Sequence, residues 1–562
     1  MDKRLERILP RVQKPARYVG GEFNAIMKDK SKVDTRVAFC FPDTYEIGMS
    51  NLGMRILYGV MNNIEGVWCE RCFAPWGDME QEMRNANIPL YALESFDPIK
   101  DFDIIAFSIG YEMAFPAMVD MLDLAGVPLH ASERTALTPL VVAGGTAMYN
   151  CEPIADFIDL ALIGEGEEMD VELIELHRQA RREGWSKHEF LVRAAQIPGI
   201  YVPSLYDVVY NDDGTVKSIT ANEGAPKVVL KRIMRDMDKA YYPTKTIVPS
   251  TEIVQDRVSL ELFRGCIRGC RFCQAGYVYR PVRNRSEELL RGYAVEAVED
   301  SGYQDMTLSS LSTSDYPHLV ELCDDLEDFC AQRHVTLALP SLRADNFSMA
   351  LMERLQKGRK TGLTFAPEAG TQRLRDAINK NLTEEDLLES CRRAFAGGYS
   401  AVKLYFMLGL PTETDEDVLG IADIAAHVMH AWRESALNKT RGVRITVSTS
   451  WFVPKPHTAF QWEPQIPIEE YERRVKLLRE AMNTKSVTYN WHPSPTSFME
   501  AVISCGDRRL GKVIETAWRK GETLSAWEDY FDLDRWMAAF EECGLDPHFY
   551  ANRRRSEDEI LP

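Results

Sequence analysis

Two stretches of this chain alternate short apolar runs with amphipathic helical patterns, and that alternation limits the folds open to it. Residues 34–164 contain RVAFCFP, VWCERCFAPW, DIIAFSIG, PLVVAGG and DLALIGEGEE, separated by helical stretches such as SNLGMRILYGVMNNI and FPAMVDMLDLAG. Strands that are apolar on both faces and joined by helices belong in a parallel sheet covered on both sides. Five of them predict a doubly wound α/β domain, which binds ligands outside the carboxyl ends of its strands. From about residue 257 the alternation resumes with VSLELF, MTLSSL, VTLALP, GLTFAP, AVKLYFML and VRITVSTSWF. Six strand–helix units predict a partial (β/α)6 barrel, again with its chemistry at the carboxyl ends. Thr383 with Asp386, and Thr414 with Asp417, have the spacing of capping boxes.

At 562 residues the chain is too long for one core. The expected organisation is an N-terminal extension (1–33), the doubly wound domain (34–165), a connector (166–250) with a hairpin at NDDG, the barrel (251–482) and a small helical C-terminal region (483–562) rich in Trp and charge. No apolar run approaches the ~20 residues that span a membrane. The charged start, MDKRLERILPRVQKPARYVGG, lacks the apolar stretch of a signal peptide, so a cytoplasmic location is expected. Disulfides are then disfavoured. Cys323 and Cys330 share a helical stripe with Leu319, Leu322 and Leu326 and read as core, as does Cys391. Cys69 and Cys72 fall on a strand, where positions three apart face opposite ways.

The net charge of −19 excludes broad nonspecific affinity for nucleic acid. Seven arginines nevertheless crowd residues 264–291: Arg264, Arg268, Arg271, Arg280, Arg283, Arg285 and Arg291. They predict either a basic mouth for an anionic ligand or a solvated arginine face.

Among them runs LFRGCIRGCRFCQAGYVYRP, directly after the first barrel strand, with Cys266, Cys270 and Cys273 spaced Cys-x3-Cys-x2-Cys. A structural zinc site takes four ligands, usually as two separated pairs. A fully protein-ligated 4Fe-4S cluster takes four thiolates. Three thiolates on one tight loop hold three irons and leave the fourth open to a substrate or cofactor.

CIRGCRFC, with Phe272 in its aromatic slot, resembles the radical S-adenosylmethionine (radical SAM) superfamily, over roughly residues 255–465. The resemblance implies a radical SAM barrel. It also implies a 4Fe-4S cluster whose open iron is chelated by S-adenosylmethionine, and reductive cleavage of that molecule to a 5'-deoxyadenosyl radical. A low-potential electron donor such as flavodoxin or ferredoxin is implied as partner. LTFAPEAGTQRLRDAINK is similar to the fourth-strand segment of these enzymes. It makes Glu368 a candidate contact to the adenosylmethionine amino or ribose group and Lys380 a candidate partner of a carboxylate there. MLGLPTETDED resembles the glycine turn near the adenine, and WFVPKPHTAFQW a segment of the branch containing methylthiotransferases and cobalamin-dependent members.

A doubly wound domain before such a barrel resembles the cobalamin-binding domain of that branch. Its first loop often reads Asp-x-His-x-x-Gly, the histidine ligating cobalt. Here PDTYEIG keeps Asp43 and Gly48 but carries Tyr45 in place of histidine, so this loop offers cobalt no imidazole. Ser108, Gly144, Gly145, Gly164 and Glu165 stand where that family lines its corrin pocket. The whole architecture resembles an uncharacterised radical SAM family with an N-terminal cobalamin-binding-like domain. KPARYVGGEFN fits that pattern, whereas the abrupt ending RRRSEDEILP leaves open a natural chain that continues past Pro562.

The favoured expectation is cobalamin-dependent methylation of an unreactive carbon. The alternatives are a radical SAM enzyme without functional cobalamin performing another transformation, and a non-catalytic iron–sulfur or zinc module. RNA, a protein and an anionic metabolite all stand as substrates.

Overall fold

The computed structural model describes every residue except 1, 223, 340–362, 441 and 483. The five strands expected in the first domain form one sheet: β1 (Thr35–Phe41), β2 (Val67–Phe73), β3 (Ile104–Ser108), β4 (Leu140–Gly144) and β5 (Leu160–Leu162). They run parallel in the order 2-1-3-4-5, and β6 (Ile200–Tyr201) adds an antiparallel edge. Strand order reverses between β1 and β3, which opens a crevice at their carboxyl ends. Cys69 lies in register with Val37 and Cys72 with Cys40, so the two thiols face opposite sides of the sheet, both buried.

Two helices, Leu52–Asn62 and Gly166–Glu183, pack together on one face of this sheet. The second lies in the expected connector yet completes the first domain, because its Met169, Leu173 and Ile174 make an apolar stripe that needs the sheet to cover it. The hairpin of β7 (Tyr206–Tyr210) and β8 (Val216–Ala221) closes at Asn211–Gly214, with Gly214 at φ 86°.

The barrel strands appear as two parallel arrays. β9 (Val258–Glu261) is followed by a two-residue antiparallel ladder of β10 (Phe263–Arg264) with β11 (Arg283–Asn284). β12 (Asp305–Ser309) and β13 (Thr336–Ala338) extend the first array in the order 13-12-9. β14 (Leu363–Glu368), β15 (Ala401–Leu408), β16 (Arg444–Trp451) and β17 (Val487–Trp491) make the second. Pro340 and Gly362, the ends of two expected strands, lie outside the described residues. Both capping boxes form, at the helices Glu384–Ala396 and Asp415–Ser435.

Two differences from expectation have physical causes. β17 extends the barrel where only helices were expected. Its sequence, VTYNW, is a β-branched and aromatic run, but it is mostly exposed, so no apolar alternation announces it. The C-terminal helices do not stand apart either. Phe115–Ala125 is buried almost all round because Leu510–Arg519 lies against it, Trp518 Nε1 donating to Asp120 Oδ1 at 3.0 Å. The chain therefore ends by packing back onto its first domain. Among the described residues no helix is long and apolar enough to cross a membrane.

Candidate active site at the domain seam

The β10–β11 ladder pins both ends of the loop that carries the cysteines. Gly265, at φ 92°, starts the loop where a Cβ would lie 2.6 Å from the Pro281 carbonyl oxygen, so only glycine fits there. Further along, Arg271 N donates to the Ile378 carbonyl at 3.0 Å and Asn379 Nδ2 to that of Gly269 at 2.8 Å. Arg280 reaches the carbonyls of Cys266 and Arg268 at 3.4 and 2.5 Å. Phe272 packs against the barrel cluster of Ala369, Leu374, Ile378, Leu410 and Phe452. The loop backbone is thus braced from within and anchored on the barrel, while Cys266, Cys270 and Cys273 stay partly exposed; seven of the other nine cysteines are buried.

The thiols of Cys266 and Cys273 lie within electrostatic reach of each other, and Cys273 also senses Glu368 and Lys380. Burial raises the Cys273 thiol above its ordinary value. Bound metal reverses that preference by favouring the thiolate. A single zinc ion would draw its sulfurs to about 2.3 Å from one point. Among the described residues no group of three His, Cys, Asp or Glu side chains converges on one ion, the trio included.

Glu368 ends β14 after a register irregularity, with its backbone at φ 70°, a left-handed conformation uncommon for a residue with a side chain. Lys380 Nζ stands 3.2 Å from its Oε1, and both side chains are largely buried. Burial raises the Glu368 carboxyl, against the opposing effect of Lys380. The structure therefore brings Glu368, Lys380, Phe272 and the cysteine loop together at one end of the barrel.

A cavity of about 470 Å³ runs from the first sheet to this loop. Alternate residues Ile104, Ala106 and Ser108 of β3, with Val142 and Gly144 of β4, form its floor, and the helices Leu52–Asn62 and Gly166–Glu183 face them. At the barrel end it is lined by Glu261, Arg264, Gly265, Ser309 and Ser310. Ser108, Gly144, Gly145, Gly164 and Glu165 all border it. A Cβ on Gly144 would meet nothing closer than 3.6 Å, so glycine there leaves the cavity open. Gly145 and Gly164 have a separate reason to be glycine: their Cβ atoms would lie 2.3 and 2.2 Å from backbone oxygens.

Asp43, Tyr45 and Gly48 are not brought to the cavity. Asp43 accepts from Trp527 Nε1 at 2.8 Å, so a C-terminal tryptophan covers the loop after β1. Tyr45 is buried and donates to Glu22 Oε1 at 2.9 Å, beside the fully buried Arg71 that Glu22 and Glu94 share. A Cβ on Gly48 would collide with the Phe73 ring at 2.2 Å. These three residues build the fold behind the sheet edge.

Neither expected reading of the arginines holds. Arg283 grips both oxygens of Glu165 at 2.6 and 2.8 Å. Arg264 pairs with Glu261 and Glu167 at 2.8 and 2.6 Å, and Arg285 with Glu261 at 3.1 Å. Arg268 holds Asp315, Arg291 holds Glu287 and Asp325, and Arg271 and Arg280 hold backbone carbonyls. Arg264 and Arg283 make a charge-paired seam that ties the loop base to the first domain, and the other five are spent on acids and carbonyls of the barrel itself. Glu165 borders the cavity, but its carboxylate is engaged by Arg283. Sequence reasoning also missed Asp170, a cavity-lining acid on the apolar stripe of Gly166–Glu183.

Residues 53–203 match the model for the N-terminal region of radical SAM proteins, and residues 260–425 that for the radical SAM superfamily. An uncharacterised protein of Methanocaldococcus jannaschii is 29% identical over 521 residues, covering 92% of this chain and 98% of the relative. Among solved structures, the radical S-adenosylmethionine methyltransferase TsrM from Kitasatospora setae, with tryptophan and a SAM analogue bound, aligns over 76% of each chain at 13% identity and TM-score 0.49. The cobalamin-dependent radical enzyme OxsB, with aqua-cobalamin and S-adenosylmethionine bound, aligns over 90% of this chain and 72% of its own at 11% identity and TM-score 0.49. The cysteine trio, its barrel and the domain before it lie within the matched regions, and the chain belongs to the radical SAM superfamily.

Proposed function

We propose that this radical SAM enzyme binds cobalamin in the seam cavity and uses it to methylate an unreactive carbon. The observation that carries the reading is the continuity of that cavity, from the strand ends at Ser108 and Gly144 to Gly265 at the root of the cysteine loop. A large cofactor seated on the sheet there would lie beside the radical-generating site, as transfer to a short-lived carbon radical requires. Cys266, Cys270 and Cys273 would hold the 4Fe-4S cluster, which when bound supplies the electron that cleaves S-adenosylmethionine. Glu368 and Lys380 would position the adenosylmethionine amino and carboxylate groups. Arg283 and Glu165 keep the loop base docked on the first domain and so fix the distance between the two sites. An external low-potential donor such as flavodoxin or ferredoxin would reduce the cluster.

A second reading has its own support. The loop after β1 is shut away from the cavity, with Asp43 bonded to Trp527 and Tyr45 to Glu22, so it offers cobalt no protein ligand. On that reading the cavity receives the substrate itself and the radical step is of another kind. Either way RNA, protein and anionic metabolites stand as substrate classes, and the pairing of the loop arginines gives charge-read phosphates no special advantage. The test is anaerobic reconstitution with iron, sulfide and hydroxocobalamin, followed by gel filtration and metal analysis. Co-elution of cobalt with iron supports the first reading; iron without cobalt overturns it in favour of the second.

A further inference from the structure

The cysteine loop carries charge that no acid neutralises. Arg271 holds the Ala377 carbonyl, and Arg280 holds those of Cys266 and Arg268. Lys231 Nζ donates to the carbonyls of Tyr277, Val278 and Arg280 at 3.3, 2.8 and 2.6 Å. Among the described residues none of these three cations has a carboxylate within ion-pair distance, unlike Arg264, Arg268 and Arg283. A cation held by carbonyls has used its donors but kept its charge, so its field still acts on an approaching partner.

Large apolar side chains stand around these charges. Lys231 belongs to a strap, residues 226–234, whose Arg232 N donates to the Ile163 carbonyl of the first domain at 2.9 Å. The strap also touches the helix Gln274–Val278 that follows Cys273, through the Lys231 contacts. On it Val228 and Leu230 are 70% and 71% exposed. Ile267, between the first two cysteines, is 63% exposed and sits between the two carbonyls that Arg280 holds. Arg280 therefore joins the strap to the loop, since its own carbonyl receives Lys231. Val228, Leu230 and Ile267 do not line the cavity, so whatever fills the cavity leaves them bare. Apolar side chains gathered beside a polar rim are the anatomy of a protein contact. On a chain of net charge −19, a local group of cations is where an acidic partner meets attraction instead of repulsion.

The chemistry of the loop selects the partner. The cluster takes its electron from outside, electron transfer weakens steeply with distance, and the three cysteines are partly exposed here. We propose that the strap and the cysteine loop form the docking surface for a small acidic electron-carrier protein. Leu230 and Ile267 supply its apolar centre, and Lys231, Arg271 and Arg280 attract the carrier's acidic rim. This rests on the external donor of the reading above. One electron passes per encounter: the carrier's reduced flavin or iron–sulfur centre is oxidised, the cluster is reduced, and no bond forms or breaks. Electron-transfer contacts bury less than about 1,200 Å², so a patch of this kind suffices.

The test uses the full chain with its cluster reconstituted anaerobically and follows cluster reduction by stopped-flow absorbance. Flavodoxin hydroquinone and a reduced 4Fe-4S ferredoxin serve as carriers, and titanium(III) citrate as a small reductant that needs no docking surface. Leu230→Glu and Ile267→Glu should each raise the carrier concentration for half-maximal reduction at least about tenfold, because each sets a like charge under an acidic partner. The limiting rate at saturating carrier should stay within about threefold, and reduction by titanium citrate within about twofold. Unchanged half-saturation by both carriers in both variants overturns the proposal. So does equal slowing with titanium citrate, which would put the effect in the cluster, and so does a parent that titanium citrate reduces but neither carrier does. A parent that elutes as a dimer, with monomeric variants of unaltered carrier kinetics, would give the face to a second copy and overturn it too. Failure of the radical reading shows separately, as a parent whose cluster is reduced yet forms no 5'-deoxyadenosine from S-adenosylmethionine.

Discussion

Replacing Asp170 should stabilise the ligand-free protein, and by an amount that depends on pH in a defined way. In the folded chain its carboxyl titrates near 8, against an ordinary value of 3.8. A carboxyl raised on folding binds its proton more tightly in the folded state than in the unfolded one. The cost of burying it is therefore absent below the unfolded value, grows as pH rises through the interval, and levels off above about 8. At 1.36 kcal/mol for each pH unit, the full cost is about 5–6 kcal/mol, of which about 4 develops between about pH 5 and pH 8. Asp170→Asn removes the titration while keeping the volume. The stability difference between variant and parent should then widen by about 4 kcal/mol over that interval and stay constant beyond it. For unfolding of all 562 residues, this corresponds to a relative gain in Tm of about 3 °C. Paired thermal scans of ligand-free protein at about pH 5, 7, 8 and 9 make the measurement. Glu167 and Cys69, which interact electrostatically with Asp170, are present in both proteins. A difference that does not change with pH would refute the claim that the acid is buried without a partner. The gain would also show why the residue is costly to the empty protein, as groups kept for binding often are.

Other substitutions probe other parts of the site. Cys270→Ala should abolish iron incorporation and, with it, formation of 5'-deoxyadenosine in a dithionite assay; product at the parent's rate would contradict the cluster assignment. Arg283→Met removes the two-pronged partner of the buried Glu165, leaving it Arg264 at 3.5 Å and the Met234 N–H, and should cost about 1–3 kcal/mol in urea unfolding; a neutral effect would show that the seam is not held there. Tyr45→Phe removes the hydroxyl that bonds Glu22 and the Ser250 backbone, so it should cost about 1 kcal/mol of stability and leave cobalamin uptake within about twofold. A large loss of corrin would make Tyr45 a ligand after all.

Much of the fold was legible because periodicity reports burial. The first five strands read as apolar runs since helices cover both faces of their sheet, and the two capping boxes formed where Thr and an acid stood three apart. β17 was not legible, because an exposed strand has no apolar pattern to display. The packing of Leu510–Arg519 on Phe115–Ala125 was hidden for a different reason: contacts between segments so far apart in sequence leave no local trace. In the site, the cysteine trio was readable from spacing alone. The arginines were misread because a sequence shows charges without their partners, and Glu165, Glu167, Glu261 and Asp315 come to them only in the fold. Asp43 and Tyr45 fell in a loop whose pattern resembled a binding motif, but Trp527 and Glu22 claim them. Asp170 had a signal that was passed over, an acid on an otherwise apolar helical stripe.

The central claim is an iron left open by a three-thiolate loop. Electron paramagnetic resonance of the reduced, anaerobic protein tests it directly, recorded before and after addition of S-adenosylmethionine carrying isotope-labelled amino and carboxylate groups. The spectrum should shift on addition and acquire hyperfine coupling to the label, with deoxyadenosine accumulating in parallel. A 4Fe-4S signal indifferent to S-adenosylmethionine, or no iron–sulfur signal from correctly reconstituted protein, would contradict the account.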